Sequence, residues 1–479
     1  MTLWFDVTDL NHWGLGHLTG IQRTSVCVLS ELMVTRRDIQ LFAYDSSRKM
    51  LRKTDMHDLA PIIRDSVMSA KGLHDEGGGQ SGALVAVARD PISARVRKAI
   101  IRSDRYLKLA SRRQLRKWIG EEVTRELRDF LRSGRSFLRA VLRKVFAKEK
   151  TADSAYPVFD AATPALFGSG DVCISLSATW GLPRYGDVIA ANKRASGAKC
   201  INLIYDLSPT LFPEWIRPGH SDVFTSWAKQ QMANADLILV ISNFQKAEIS
   251  GYMEDESIAP QPIEVIRLGD NPNFTDVATD GSVPFPRYVP KRKFVICVSS
   301  LDVRKNQSLL YHVWRRLAEE LESDCPELLL IGTSQMYVSD LLHQIRADRL
   351  VNKLVSHLED VTDVELAWYY KHCEFTIYPS MYEGWGLPIS ESLSLGRYCL
   401  AGNRTSLPEA GGDLVDYFDP LDFVGCHKLV YRAVTDPGYV KQCEERIRAR
   451  YVPHTWTMTA AHISEIVDRI SGSDRREAV

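Results

Sequence analysis

Two acids, two glycines and two cations in this sequence have the types and spacing needed to hold a phosphorylated sugar. Glu383 and Glu391 stand eight positions apart in Glu383-Gly-Trp-Gly-Leu-Pro-Ile-Ser-Glu391, with Gly384, Gly386 and Pro388 between them. Glycine carries no Cβ, so a ligand can approach the backbone closely there. A carboxylate accepts hydrogen bonds from pairs of hydroxyls, as on a sugar ring or a ribose. Arg304 and Lys305 are adjacent, and Asn306 follows them. A guanidinium fork beside an ammonium suits a diphosphate, whose charge must be neutralised as it leaves. The bland alternatives are a turn with solvated glutamates and a surface Arg-Lys pair. The fixed order of acids, glycines and proline, and the position of the cations, favour a site.

The elements that must present these residues can be read locally. Phe375-Thr-Ile-Tyr378 is strand-like, and Pro388 and Gly396 mark the first turn and the end of a helix. Strand, glycine loop and helix therefore follow in order, with Glu383 in the loop and Glu391 in the first helical turn. Free N–H groups and the dipole at the helix start favour an anion. Phe294-Val-Ile-Cys-Val298 is another strand. Ser299 to Asn306 form its loop, and a helix is expected over 307–321 with Leu309, Leu310, Val313, Trp314 and Leu317 on its apolar side. Leu3 to Val7 opens the chain as a strand, followed by Gly14, Gly16 and Gly20 in the spacing Gly-x-Gly-x-x-x-Gly and then a helical pattern. That loop is one residue longer than a dinucleotide fingerprint and reads equally as a flexible turn. Apolar runs ending at Leu176, Tyr205 and Ile241 alternate with helices. The polar residues after them, Asp206 and Ser242 among them, would stand at a sheet's carboxyl edge, where open α/β folds place ligands. The stretch from Pro284 to Lys293 is the linker candidate, and Asp363 is a helix-cap candidate.

Composition bounds the answer. The 479 residues allow two or three domains, and 45% hydrophobic with 25% charged residues excludes disordered and fibrous classes. Sixty Lys and Arg balance sixty Asp and Glu, so the whole chain shows no bias toward nucleic acid. The nine cysteines form no C-x-x-C pair and read as small core residues in a reducing compartment. No signal peptide is read at the N-terminus, and no apolar run reaches the ~18 residues of a membrane span. Residues 91–150 carry 19 Lys and Arg against 6 Asp and Glu, with apolar positions at helical spacing. They read as a basic amphipathic helical insertion. It is either a solvated face packed on its domain or a patch for anionic lipid headgroups or a phosphate-bearing lipid acceptor.

The Glu383-to-Glu391 stretch resembles the Glu-x7-Glu signature of retaining glycosyltransferases of the GT4 group. The likeness runs from about residue 200 to the C-terminus, and more weakly over the first 45 residues. It implies an α/β protein of GT-B fold: two facing Rossmann-like domains with a cleft between them, 1–285 on the acceptor side and 286–450 binding the nucleotide sugar. Residues 451–479, from near His454-Thr-Trp456, would cross back as a helix onto the first domain. By this resemblance Glu383 binds the donor sugar's hydroxyls and Glu391 the ribose. Arg304, Lys305 and the N–H groups of Gly384, Trp385, Gly386 and Leu387 stabilise the diphosphate, and Gly14 and Gly16 lie against it. Asp206 is either catalytic or only an orienting residue of its loop, and Ser299 and Thr405, in the flanking loops, bind the substrate. The chain departs from the family at Tyr205, where members often carry His, and at Ser299, where many carry Arg, leaving Arg304 to supply the guanidinium. Thr19-Gly20-Ile21-Gln22-Arg23 is similar to a subset of bacterial mannosyl- and rhamnosyl-type transferases. The implied activity is metal-independent hexosyl transfer, with GDP-mannose the first guess as donor and no other cofactor. The acceptor would be a lipid-linked glycan of surface polysaccharide or O-antigen, handled in the cytoplasm or peripherally at the membrane's inner face. The alternative is a non-catalytic binding or scaffold subunit of the same fold.

Overall fold

The computed structural model describes residues 1–12, 20–59, 64, 166–270, 285–335 and 337–473. Gly14, Gly16 and the basic insertion of 91–150 lie outside the described residues.

The alternation of apolar runs with helical patterns produces two sheets. The first has the order β3-β2-β1-β4-β5-β6-β7 and the second β10-β9-β8-β11-β12-β13. Their strands are β1 Leu3–Asp6, β2 Ile39–Asp45, β3 Met50–Thr54, β4 Val172–Ser175, β5 Lys199–Leu203, β6 Leu237–Val240 and β7 Ile263–Val265, then β8 Phe294–Val298, β9 Glu327–Ile331, β10 Val355–Leu358, β11 Thr376–Tyr378, β12 Cys399–Gly402 and β13 Asp416–Phe418. Every pairing is parallel except the β2–β3 hairpin. Strands covered on both faces read as continuous apolar runs, and β1, β4, β6 and β9 are buried throughout. The hairpin has no clear signal in the sequence. Its turn is held by Asp45, whose Oδ1 accepts from Ser47 N at 2.9 Å and Arg48 N at 3.1 Å.

One face of the first sheet is covered by the Gly20–Thr35 helix together with the Trp456–Ser473 helix, so Trp456, Ile463, Ile466 and Val467 share a core with Leu3, Phe5, Val28 and Ile174. Arg36 ties the two helices together, donating to Ser464 Oγ and Asp468 Oδ1, each at 2.8 Å. The second sheet is covered by the Gln307–Leu321 helix over the range its periodicity predicts, with Leu310, Val313, Trp314 and Leu317 fully buried. Trp314 Nε1 donates to Pro326 O at 2.9 Å, which satisfies its one polar atom inside the core. All nine cysteines are free and buried.

Two local expectations need correction. The helix start near Asp363 is capped one residue earlier. Thr362 Oγ1 accepts from Glu365 N at 3.2 Å and Glu365 Oε2 accepts from Thr362 N at 3.0 Å, a reciprocal box that leaves Asp363 as the first helical residue. The Leu387–Ser394 helix begins at Leu387, so Glu391 is its fifth residue and opens the second turn rather than lying in the first. Gly386 makes that start possible. Its φ of 117° is a conformation a side chain strongly disfavours.

Candidate active site

The loop after β8 and the loop after β11 come from neighbouring strands and are bolted together. Met381 N donates to Arg304 O at 2.9 Å, and Asn306 Nδ2 donates to Pro379 O at 3.3 Å and Pro420 O at 2.8 Å. A single turn of 3-10 helix, Val303–Lys305, is started by Asp302, whose Oδ1 accepts from Arg304 N at 2.9 Å. Both cations therefore leave one turn and point at the next loop.

They converge on Glu383. Its Oε1 accepts from Lys305 Nζ at 2.5 Å, Tyr378 OH at 2.7 Å and Ser380 Oγ at 2.5 Å, and its Oε2 accepts from Arg304 Nη1 at 2.9 Å. Burial alone would push this carboxyl up, but Arg304 and Lys305 more than reverse that and hold it at about 2. Burial, and then the neighbouring Arg304, pull the Lys305 ammonium below the ordinary lysine range. The cluster carries one more positive than negative charge, in a largely desolvated place. That is a setting in which an anionic group is held strongly. Oε1 already has three donors, so Oε2 is the oxygen of Glu383 with acceptor capacity left.

Glu391 is equally buried. Tyr370 OH donates to Oε2 at 3.0 Å, and Arg23 Nη1 stands 3.3 Å from Oε1. Burial pushes its carboxyl above the usual range, and Arg23 and the Tyr370 hydroxyl work against that.

The remaining predicted residues take different places. Thr405, with φ 54°, accepts from Glu383 N at 3.0 Å, and Ser406 Oγ donates to Glu383 O at 2.8 Å and Trp385 O at 2.9 Å, so both hold the glycine loop in shape. Ser299 Oγ accepts from Gln307 Nε2 at 2.9 Å, which ties its loop to the following helix. Asp206 Oδ1 accepts from Ser208 N at 2.9 Å and Ser208 Oγ at 2.7 Å, a local turn, while its charge is felt at Arg304, Glu248 and Tyr382. The Trp385 side chain enters the core of the first sheet, and Leu387 packs against that core. Tyr205 turns its hydroxyl to Leu176 O at 3.0 Å.

The two sheets thus meet at the site. A Cβ built on Gly384 would lie 2.2 Å from Tyr205 O. Tyr382 is seated between Phe212 and Phe244, with ring centroids 5.4 and 6.2 Å away. Its hydroxyl bonds Glu248, and Gln245 Nε2 donates to it at 3.0 Å. Burial, with Asp206 nearby, raises the Glu248 carboxyl. Glu409 accepts from Asn243 N at 2.9 Å, placing a carboxylate of one half at the start of the Asn243–Asp255 helix of the other. Glu248, Tyr370, Glu409, Ser380 and Tyr382 have no part in the reading of the sequence, where Tyr378 is only the end of a strand and Arg23 only the end of a motif. Tyr378, Ser380 and Tyr382 had a signal in their closeness to Glu383. The others are joined only by the fold. Among the described residues no group of His, Cys, Asp and Glu is placed to hold a metal ion, and no helix is long and apolar enough to cross a membrane.

Residues 285–447 match the family described as glycosyl transferases group 1. The chain is 26% identical over 264 residues to the serotype-specific mannosyltransferase WbdA of Escherichia coli, covering 55% of this chain and 32% of that protein. It is 24% identical over 263 residues to the Escherichia coli O-antigen chain mannosyltransferase B, covering 54% of this chain and 67% of that one. The chain therefore spans about a third of the length of the first of these relatives. The solved structure of Anabaena Alr3699/HepE in complex with UDP and glucose matches with a TM-score of 0.53 over 98% of this chain and 100% of that one, at 12% identity. The likeness is one of fold, and with the two parallel sheets it makes the architecture GT-B, as expected.

Proposed function

We propose that this chain, which carries a glycosyltransferase group 1 domain at residues 285–447, moves a hexose from a nucleotide sugar to a growing glycan with retention of configuration. The observation that carries this reading is the convergence of Arg304, Lys305 and Glu383 from two adjacent strand ends. In it, the two cations neutralise the departing diphosphate, with the N–H groups from Gly384 to Leu387 beside them. Glu383 keeps the cations aimed and offers Oε2 to a sugar hydroxyl, and Glu391 takes the ribose. Water is excluded where the halves meet. The names of the relatives make mannose, from GDP-mannose, the first donor to test, and a lipid-linked O-antigen or other surface polysaccharide the first acceptor. Residues 91–150 are the candidate for contact with an anionic membrane surface on the cytoplasmic side.

A thermal-shift screen of nucleotide sugars tests the reading. A donor present at about a hundred times its Kd contributes about 2.7 kcal/mol to the folded state, a rise of a few degrees. GDP-mannose is expected to give that rise in the wild-type chain and to lose most of it in Lys305→Ala. A wild-type chain that responds to no nucleotide sugar removes the donor reading and leaves the scaffold alternative. Turnover is expected to survive exhaustive chelation, and its loss on chelation, with recovery on adding a divalent ion, would overturn the metal-independent mechanism.

A further inference from the structure

Arg23 lies in the first turn of the Gly20–Thr35 helix, on the first sheet, yet its guanidinium is shared between two acids of the second half. Nη1 stands 3.3 Å from Glu391 Oε1 and Nη2 3.1 Å from Asp363 Oδ1. The side chains are 53% exposed at Asp363, 20% at Arg23 and 8% at Glu391. The Asp363 contact is therefore screened by water, and the desolvated contact is the one to Glu391. Tyr370 OH occupies the other oxygen of Glu391 at 3.0 Å. A carboxylate has acceptor capacity for about four donors. One position on each oxygen remains, which is the pair a vicinal diol requires.

We propose that Arg23 is a positioning residue for the nucleotide's ribose. From the opposite sheet it keeps Glu391 an oriented carboxylate, so the diol-binding acid is complete only when the two halves face each other. This rests on the donor reading above. The groups facing Glu391 support it. Burial and the charges of Asp363 and Asp270 favour its proton, and Arg23 and the Tyr370 hydroxyl favour its loss. Removing Arg23 leaves the balance with the proton, and a protonated acid accepts poorly from a diol.

The experiment is calorimetric titration of GDP, with UDP in parallel, and of their 2′,3′-dideoxy forms, across pH 5 to 8. The wild-type chain is expected to prefer the ribose form by at least about tenfold. Arg23→Gln is expected to bring that ratio near unity and to shift the acid-side loss of binding upward by about one pH unit, and Arg23→Lys to recover most of both. A ratio and pH dependence unchanged in Arg23→Gln overturn the proposal. So does an equal weakening for both sugar forms, which would mean a phosphate contact or a merely structural role. If Arg23→Gln does not fold, the Arg23→Gln/Glu391→Gln pair, neutral on both sides, decides. It is expected to bind GDP as Glu391→Gln alone does, and a further tenfold loss would place the action of Arg23 elsewhere. Binding of neither nucleotide by the wild-type chain would remove the donor reading and this inference with it, whereas intact binding with an indifferent Arg23 counts against this inference alone.

Discussion

Glu383→Gln is expected to lower kcat/KM by about 10²–10³, and Glu383→Ala to abolish measurable turnover and destabilise the fold by about 3–5 kcal/mol. The glutamine keeps an acceptor for Lys305, Tyr378 and Ser380 but not the charge that orients two cations. The alanine strands Lys305 buried and Arg304 nearly so, with no counter-charge. Stability against pH separates this charge effect from a packing defect. The Glu383 carboxyl sits at about 2 in the folded chain against an ordinary 4.5. Its contribution is therefore fully present above pH 4.5 and fades as pH falls toward 2. Glu383→Gln should flatten that acid limb. Nucleotide-sugar consumption and denaturation at several pH values measure both arms. Wild-type turnover in Glu383→Gln would refute the assigned role.

Gly384→Ala is expected to cost about 10² in turnover while leaving each sheet folded. The Gly384 backbone lies outside the left-handed region, so an alanine would be locally acceptable. The penalty comes from the other sheet: the new Cβ would meet Tyr205 O at 2.2 Å and Ile241 Cδ1 at 3.1 Å. Those atoms belong to the first half of the chain, one of them to its backbone, so relief requires the halves to move apart. Separation would also stretch the Arg23–Glu391 and Tyr382–Glu248 contacts. Small-angle scattering should report a larger radius of gyration, and steady-state assays the loss of turnover. An unchanged radius together with full activity would show that the seam yields without cost.

What could be read from the sequence was local. Pro388 and Gly396 bracket their helix, the apolar spacing from Leu309 to Leu317 sets the Gln307–Leu321 helix, and the Glu383-to-Glu391 stretch pointed at a site before any fold was known. Thr362, rather than Asp363, caps its helix because the reciprocal bond from Glu365 favours a threonine three residues before it. What could not be read was joined at long range. Arg23 is 368 positions from Glu391, and Glu248 is 134 from Tyr382. Trp385 sits in the middle of the central motif and looks like part of a ligand loop, but its ring fills the core of the other sheet. Periodicity assigns a residue to an element, not to the element across the seam.

The Trp456–Ser473 helix finishes the core that Leu3 and Phe5 begin. On the ribosome the first strands emerge long before the residues that cover them. Until synthesis has passed Val467, the apolar surface beneath that helix stays open to water and to other chains. The sheet that Leu3 opens is thus sealed only after the strands of the second sheet have been made, and the interval between those events is when it would most need shelter by a chaperone.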